Sequence, residues 1–339
     1  MKLYGLIRSI LFLLDPERSH GLSLSSMDWL NKFGLTRLFF GKPLSSPVSV
    51  MGIQFPNPIG LAAGLDKNGD HIDSLSACGF GFIEIGTITP EPQTGNDKPR
   101  LFRLVNDEAI INRMGFNNKG VDYLVKQVKK SNPKCVLGIN IGKNKVTDNA
   151  DAVNDYMHCF KKVYPVADYI TINISSPNTP GLRELQYGEA LKALLFQLKQ
   201  EQAALHVETG RYVPLVVKIA PDLQHDEIEA LATTLLSVHV DGVIATNTTN
   251  QRPETLSSRY KNEEGGLSGA PLTELSNQLL VELGKHLGGQ IPIIASGGVM
   301  SVQDVRQKLA LGASLVQLYS GFIYYGPELI RLSIKDGSR

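Results

Sequence analysis

No apolar run in the 339 residues reaches the 18 or so that a membrane-spanning helix needs. The longest near the amino terminus is Ile10 to Leu14, and no small-residue cleavage site follows it, so no secretory signal is expected. Cysteine is scarce. Cys78, Cys135 and Cys159 stand far apart, with no Cys-x-x-Cys and no Cys/His ligand spacing, which argues against a zinc ribbon or a disulfide framework. Their odd number suits a reducing compartment. The seven histidines are scattered without an HExxH, and no metal is expected. An excess of either charge is missing too. Lys and Arg number 34 against 33 Asp and Glu, a net +1, so there is neither a nucleic-acid footprint nor an acidic tail. No linker or low-complexity tract marks off a second large domain.

What is present is a globular composition, 42% hydrophobic and 20% charged, enough for a sizeable core. The first forty residues are patterned. Leu3, Leu6, Ile7, Ile10, Leu11 and Leu14 share one helical face, with Lys2 and Arg8 off it. Asp15-Pro16 reads as an N-cap followed by proline at the first helical position. A second helix then carries Leu22, Met27, Trp29, Leu30 and Phe33 toward Leu38-Phe39-Phe40. Two short helices dense in large apolar groups suit an interfacial membrane anchor, or two helices packed onto a core.

From residue 59 onward, short β-rich runs alternate with helical stretches. The runs are Ile59 to Leu61, Phe82 to Ile85, Val136 to Ile139, Tyr169 to Ile172, Leu215 to Val217, Gly242 to Ala245, Ile291 to Ile294 and Leu315 to Leu318. Most are continuously apolar, as strands buried on both faces are. Helical patterns include Ala190 to Leu198, Glu227 to Leu236, Leu272 to Leu283 and Val302 to Leu311. Eight β/α units in about 280 residues predict an α/β fold, a (β/α)8 TIM barrel over 41–339 behind a small helical extension over 1–40. A doubly wound open sheet is the alternative. Two insertions, 87–135 and 247–270, are too long for minimal units and fall where a barrel builds its site or lid.

The residues just after each run carry the chemistry. They are Ala62 to Lys67, Gly86 to Pro90, Asn140, Asn173 to Gly181, Lys218, Thr246 to Thr248, Ala295 to Val299, and Tyr319 to Gly321. In a barrel these converge on one mouth. Ser296-Gly297-Gly298 after the seventh strand and Tyr319-Ser320-Gly321 after the eighth fit the barrel's phosphate site, where glycine lets backbone N–H groups approach and a following helix start adds positive potential. Neither a nucleophile–His–Asp set nor a carboxylate pair falls among these positions, which argues against simple hydrolysis. Amides, hydroxyls and two lysines around a phosphate fit a cofactor that does the hard chemistry itself. Flavin mononucleotide (FMN) fits, with a lysine near N1 to stabilise the reduced ring.

Several segments resemble the dihydroorotate dehydrogenases, over nearly the whole chain. They are Gly60 to Lys67, Ile111 to Asn117, Asn173 to Thr179, Ala245 to Thr249, Gly265 to Leu272 and Tyr319 to Phe322. The resemblance is to the membrane-associated, quinone-reducing class 2. It implies FMN contacts at Ala63, Gly64, Leu65, Asp66, Lys67, Thr87, Asn140, Asn173, Lys218, Thr246, Gly269, Gly298, Tyr319 and Ser320. It implies substrate contacts at Lys67, Asn112, Arg113, Met114, Gly115, Phe116, Asn173, Asn178, Asn247 and Thr248. Ser176 takes the place of the catalytic base, where the soluble class 1 enzymes carry cysteine. His20 and Arg103 match positions associated with the quinone. The implied reaction is oxidation of (S)-dihydroorotate to orotate in pyrimidine biosynthesis. FMN is the first acceptor and a membrane quinone the last, in ping-pong order. The expected setting is peripheral, through residues 1–40, on the cytoplasmic face of a bacterial inner membrane, as a monomer. Alternatives are another FMN barrel on the same phosphate site, of the dihydropyrimidine or 2-hydroxy-acid oxidoreductase type, or a non-enzyme, a flavin-binding or scaffold protein on the membrane. A hydroxy-acid oxidase would need a histidine at the mouth, and no strand end supplies one.

Overall fold

The architecture comes from a computed structural model that describes residues 2–41, 43–179 and 181–337. Pro180, in the loop after the fourth strand, and the side chains of Lys2 and Leu3 lie outside the described residues.

Eight parallel strands close a barrel: β1 (Ile59–Leu61), β2 (Phe82–Ile88), β3 (Val136–Ile141), β4 (Tyr169–Asn173), β5 (Leu215–Ile219), β6 (Gly242–Ala245), β7 (Ile293–Ser296) and β8 (Leu315–Leu318). Closure excludes the open doubly wound sheet. The seventh strand begins two residues later than the apolar run Ile291 to Ile294 suggests. Pro292 has no N–H to give the ladder and serves only as an acceptor, from Val243 N at 3.1 Å. The helices Gly188–Thr209, His225–Ser237, Thr273–Leu287 and Val302–Ala310 ring the barrel and bury leucine, isoleucine and valine against its outer face.

The barrel interior is layered. Its lower layer is apolar, built from Phe82, Val136, Tyr169, Val216, Ile244, Ile294 and Leu315, and the hairpin Val48–Val50/Ile53–Phe55 plugs it from below with Val50 and Phe55. The ring of Phe82 fills the space beside Gly60, where an added Cβ would sit 2.2 Å from it. The layer above is polar and carries Glu84, Asn140, Thr171, Lys218 and Gln317, all buried. Glu84 gathers bonds from Asn140, Thr171 and the Gln317 amide nitrogen, while Lys218 and Gln317 also line the cavity that opens directly above.

The two long insertions meet across the mouth. Leu101–Leu104 and Ala109–Asn112 come from the first, and Gly266–Gly269 from the second. Together they form a three-stranded antiparallel sheet, with Gly266 opposite Asn112 and Gly269 opposite Ala109.

The amino-terminal segment forms α1 (Lys2–Leu11), α2 (Pro16–Lys32) and the short α3 (Thr36–Phe40). Asp15 caps α2, accepting from Glu17 N and Arg18 N with Pro16 in the first turn. Tyr4 Oη donates to Ile323 O at 2.7 Å and Arg8 to Tyr324 O at 2.9 Å, pinning α1 to the barrel. Glu17 pairs with Arg100 at 3.0 Å and holds α2. The rest of the apolar face is not spent on core. Of 17 exposed large apolar side chains among the described residues, 11 lie between Leu6 and Phe39. Such a patch on one small element marks an interaction surface rather than a folding contact.

Candidate active site

At the carboxyl ends of the barrel strands lies a cavity of about 960 Å³. The loop after β1 contributes Ala63, Gly64 and Lys67. The later strand ends contribute Thr87, Asn173, Ser176, Asn178, Lys218, Thr246, Asn247 and Thr248. Gly269, Gly298, Tyr319 and Ser320 line one end, and Asn112, Met114, Gly115 and Phe116 close over it from the mouth.

Why each group points inward follows from its local structure. The loop after β1 is held by the buried carboxylate of Asp66, which accepts the N–H groups of Asn68, Gly69, Asp70 and His71 at 2.8–3.2 Å. Asp66 therefore shapes the loop and lies off the cavity. Lys67 is turned back so that its Nζ reaches Gly64 O at 2.7 Å. Burial, and the Arg100 guanidinium after it, bring Lys67 down to about 8, against the pull of Glu17 and Asp66.

A hydrogen-bonded relay runs from the barrel interior to the cavity floor. Glu84 accepts from Asn140 Nδ2 at 2.8 Å, and also from Tyr169, Thr171 and Gln317. Thr87 donates to Asn140 Oδ1 at 2.5 Å, and Asn173 Nδ2 donates to Thr87 Oγ1 at 2.8 Å. The carbonyl of Asn173 is itself held by Tyr156 Oη at 2.7 Å. Asn140 thus stands one layer below the cavity, fixing Thr87, which lines it. Asn247 donates to Ser175 Oγ at 3.0 Å, and Asn178 to Asn112 Oδ1 at 3.4 Å. Four asparagine amides thus converge on the cavity: Asn173 Oδ1 accepts from Ser175 N and Oγ, and Asn247 Oδ1 from Thr248 N, while Asn112 Nδ2 and Asn178 Oδ1 have no hydrogen-bond partner among the described residues.

Lys218 is buried, and its ammonium has no hydrogen-bond partner among the described residues. Burial lowers its affinity for a proton, while the Glu84 carboxylate below supports its charge. Ser176 is buried at the cavity edge, and its Oγ accepts the Asn178 N–H at 3.3 Å. No histidine lines this cavity among the described residues.

At the other end stands a glycine cradle. Gly297 and Gly298 adopt φ of 97° and 73°, and a Cβ on Gly298 would lie 2.3 Å from Thr273 Cα. Side chains are excluded there by both backbone conformation and space, which leaves amides bare. Ser268 and Ser320 add hydroxyls 2.9 Å apart.

Of the remaining residues singled out in the sequence, Leu65, His20 and Arg103 belong to a second cavity of about 1450 Å³ beneath α1 and α2. Its lining is largely apolar, with Ile7, Leu11, Phe12, Met27, Leu30, Phe39 and Phe40 among the side chains. His20 is brought down to about 4, by burial first and then by the Lys67 charge. Arg103 caps the end of α1, donating to Leu11 O at 3.2 Å and to Leu14 O, and its guanidinium stacks 4.5 Å from the Phe12 ring centre. Tyr319 lines both cavities.

The structure places Arg113 outside the first cavity. It pairs with Glu263 at 2.8 Å and lies over Phe102, so it locks the two insertions together. Gln317 lines the cavity without having been picked out in the sequence. Its Oε1 is buried and unpartnered, and a polar residue inside the apolar run of β8 was the available signal.

The profile described as dihydroorotate dehydrogenase matches residues 45–337. The chain is 58% identical over 329 residues to the dihydroorotate dehydrogenase (quinone) of Idiomarina loihiensis, covering 97% of this chain and 98% of that one. It is 54% identical over 332 residues to the enzyme of that name from Pseudomonas aeruginosa PAO1, covering 98% and 97%. The crystal structure of DHODH from Eimeria tenella in complex with ferulenol superposes with a TM-score of 0.86 at 41% identity, over 95% of this chain and 90% of that one.

Proposed function

The chain belongs to the dihydroorotate dehydrogenase family, and on that premise we propose that it oxidises (S)-dihydroorotate to orotate in pyrimidine biosynthesis, with FMN as first acceptor and a membrane quinone as last. One observation carries the reading. A polar cavity holding Ser176, four asparagines and Lys67 shares a wall, formed by the loop after β1 and Tyr319, with a largely apolar cavity under the amino-terminal helices.

The residues present fit FMN. The Gly297–Gly298 cradle with Ser268 and Ser320 suits its phosphate. The partnerless Lys218 ammonium and the orphaned Gln317 Oε1 offer a cation and an acceptor to a heterocycle edge. An FMN held by these residues would supply the hydride acceptor for the substrate.

The protein's own groups do the rest. Carboxamides donate and accept, so Asn112, Asn173, Asn178 and Asn247 match the alternating C=O and N–H groups of a dihydropyrimidine ring. Lys67 and the 112–116 loop serve the substrate carboxylate. Ser176 removes the proton while the hydride leaves. The Asn178 N–H at its Oγ stabilises developing negative charge there, and the proton passes onward by water.

A polar dihydroorotate and an apolar quinone cannot share one pocket without stranding each other's partners, so each has its own entrance. Quinone enters between α1 and α2, where His20 and Arg103 supply the polar contacts, and the exposed apolar side chains there rest in one leaflet. No helix among the described residues is long and apolar enough to cross a membrane. The proposed attachment is peripheral, through the exposed apolar side chains of residues 1–40, on the cytoplasmic face of a bacterial inner membrane. The site is complete within one chain, so a monomer suffices.

The test is a spectrum of the purified protein under anaerobic conditions. Dihydroorotate should bleach the flavin band, and a quinone should restore it. A flavin that dihydroorotate leaves oxidised would overturn the reading.

A further inference from the structure

Lys308, on the helix Val302–Ala310 behind β7, is fully buried, with 0% of its surface exposed. Its Nζ donates to Ser276 Oγ at 2.5 Å and makes no ion pair among the described residues. Two carboxylates face it. Asp304, one turn earlier on its own helix, is spent on capping, accepting from Met300 N, Ser301 N and Ser301 Oγ at 2.8–2.9 Å. Glu274, on the helix Thr273–Leu287, is bonded by Gln278 Nε2 at 2.8 Å. A cation buried without a counter-ion is expensive, and the chemistry described so far does not use it.

Ser276 is itself fully buried and lies within reach of Gly297 O at 2.9 Å and Thr273 O at 3.0 Å. While Lys308 donates to its oxygen, its single proton can go to Gly297 O. The peptide joining Gly297 to Gly298 is trans, so its N–H points opposite to its C=O. The carbonyl faces Ser276. The Gly298 N–H faces the cradle, where it has no partner among the described residues. Pulling on a peptide carbonyl makes the N–H of the same unit a stronger donor.

We propose that Lys308 is a positioning residue for the cofactor phosphate, acting without contact through Ser276 and the Gly297–Gly298 peptide. The inference rests on the FMN reading and deepens it by naming how the phosphate is recognised. A phosphate dianion in the cradle supplies the counter-charge that Lys308 lacks. Burial holds the empty protein's Lys308 at about 7 against the pull of Asp304 and Glu274. The bound dianion raises that value. At neutral to mildly alkaline pH, phosphate binding therefore takes up a proton at Lys308.

The sign follows from linkage. Above the free protein's value and below the bound one, affinity falls as pH rises, by up to tenfold per unit. The second ionisation of the phosphate lies near 6 and is complete over that range.

The test uses the full chain, stripped of flavin and titrated with FMN and, separately, with riboflavin between pH 7 and 9. Flavin fluorescence reads both. In the wild type, FMN affinity should fall with pH while riboflavin affinity stays level. Lys308→Met should weaken FMN by about 10- to 100-fold at pH 7 and flatten the profile, with riboflavin unchanged. The empty Lys308→Met protein should melt above the empty wild type, since a buried uncompensated charge is gone. Ser276→Ala keeps the lysine and breaks the relay. It should weaken FMN selectively and blunt the pH dependence, which keeps the test decisive if the methionine variant fails to fold. FMN bound by both variants with the wild-type affinity and profile would refute the role. So would equal weakening of FMN and riboflavin, which marks mere packing. A wild-type chain that binds no FMN at any pH would instead overturn the FMN reading on which the inference stands.

Discussion

His71 Nδ1 and the Asp28 carboxylate are joined at 2.6 Å, and this pair fastens α2 to the loop that carries Lys67. Ser74 adds a second bond to Asp28, also at 2.6 Å. One carboxylate on the amino-terminal segment thus holds the wall between the two cavities. Asp28→Ala should cost about 1–3 kcal/mol of docking stability, because two partners lose their acceptor. The readout is earlier proteolytic cleavage within residues 1–40. Reoxidation by a long-tailed quinone should slow more than flavin reduction by dihydroorotate. Equal slowing of both half-reactions would contradict the separation of the two sites.

Ser176→Ala should keep FMN bound and reduce the rate of flavin reduction by 100-fold or more, the ordinary scale of a lost general base. Stopped-flow absorbance measures it directly. Ser176→Cys should keep part of the rate with its pH profile moved down, since a free thiol titrates near 8.5, far below a hydroxyl. Reduction at the wild-type rate in the alanine variant would remove Ser176 from the chemistry.

Lys218→Met should lower the flavin midpoint potential. Among the described residues Glu84 is the charge that supports the ammonium, which would lie against a flavin ring that gains negative charge on reduction. A fall of 30 mV corresponds to about 1.4 kcal/mol for a two-electron couple. Spectroelectrochemistry on the reconstituted variant decides, and an unchanged potential would speak against this role.

The exposed apolar patch predicts graded membrane binding. Leu13, Trp29 and Leu38 are 85%, 64% and 79% exposed, so replacing all three with glutamate leaves the core untouched. Each loses up to about 1.5–3 kcal/mol of apolar burial in a lipid leaflet. Flotation with anionic vesicles should show binding falling by well over tenfold. Activity with a small soluble acceptor should persist, and undiminished flotation would place the membrane contact elsewhere.

Acid should loosen the amino-terminal segment through His20. Its value in the folded chain is about 4, against about 6.5 in an unfolded one, so the folded protein resists taking the proton. Stability from keeping His20 neutral is complete above about 6.5 and drains away as pH falls toward 4, at most about 3 kcal/mol in all. His20→Gln should flatten the melting temperature between pH 6.5 and 4.5. A slope identical to wild type would assign the acid sensitivity to other groups.

Much of this was legible in one dimension. A strand buried on both faces needs a continuous apolar run, so the eight barrel strands announced themselves, and Asp15-Pro16 marked the start of α2 because cap chemistry is local. The strand-end residues could be gathered into one site because a closed parallel barrel sends every carboxyl end to the same mouth. What the linear order could not decide is pairing at a distance. Arg113 sits in a motif that resembles substrate contacts, yet Glu263, 150 residues away, draws it out of the cavity. The two insertions read as separate loops until Asn112 and Gly266 pair across the mouth. Glu84 and Gln317 meet inside the barrel from its second and eighth strands. Lys308 carries no local sign of its position, being one more lysine on an outer helix until Ser276 and the phosphate cradle close over it. Apolar periodicity and caps are properties of neighbours in sequence. Burial of a charge, and the partner that compensates it, exist only once the barrel has closed.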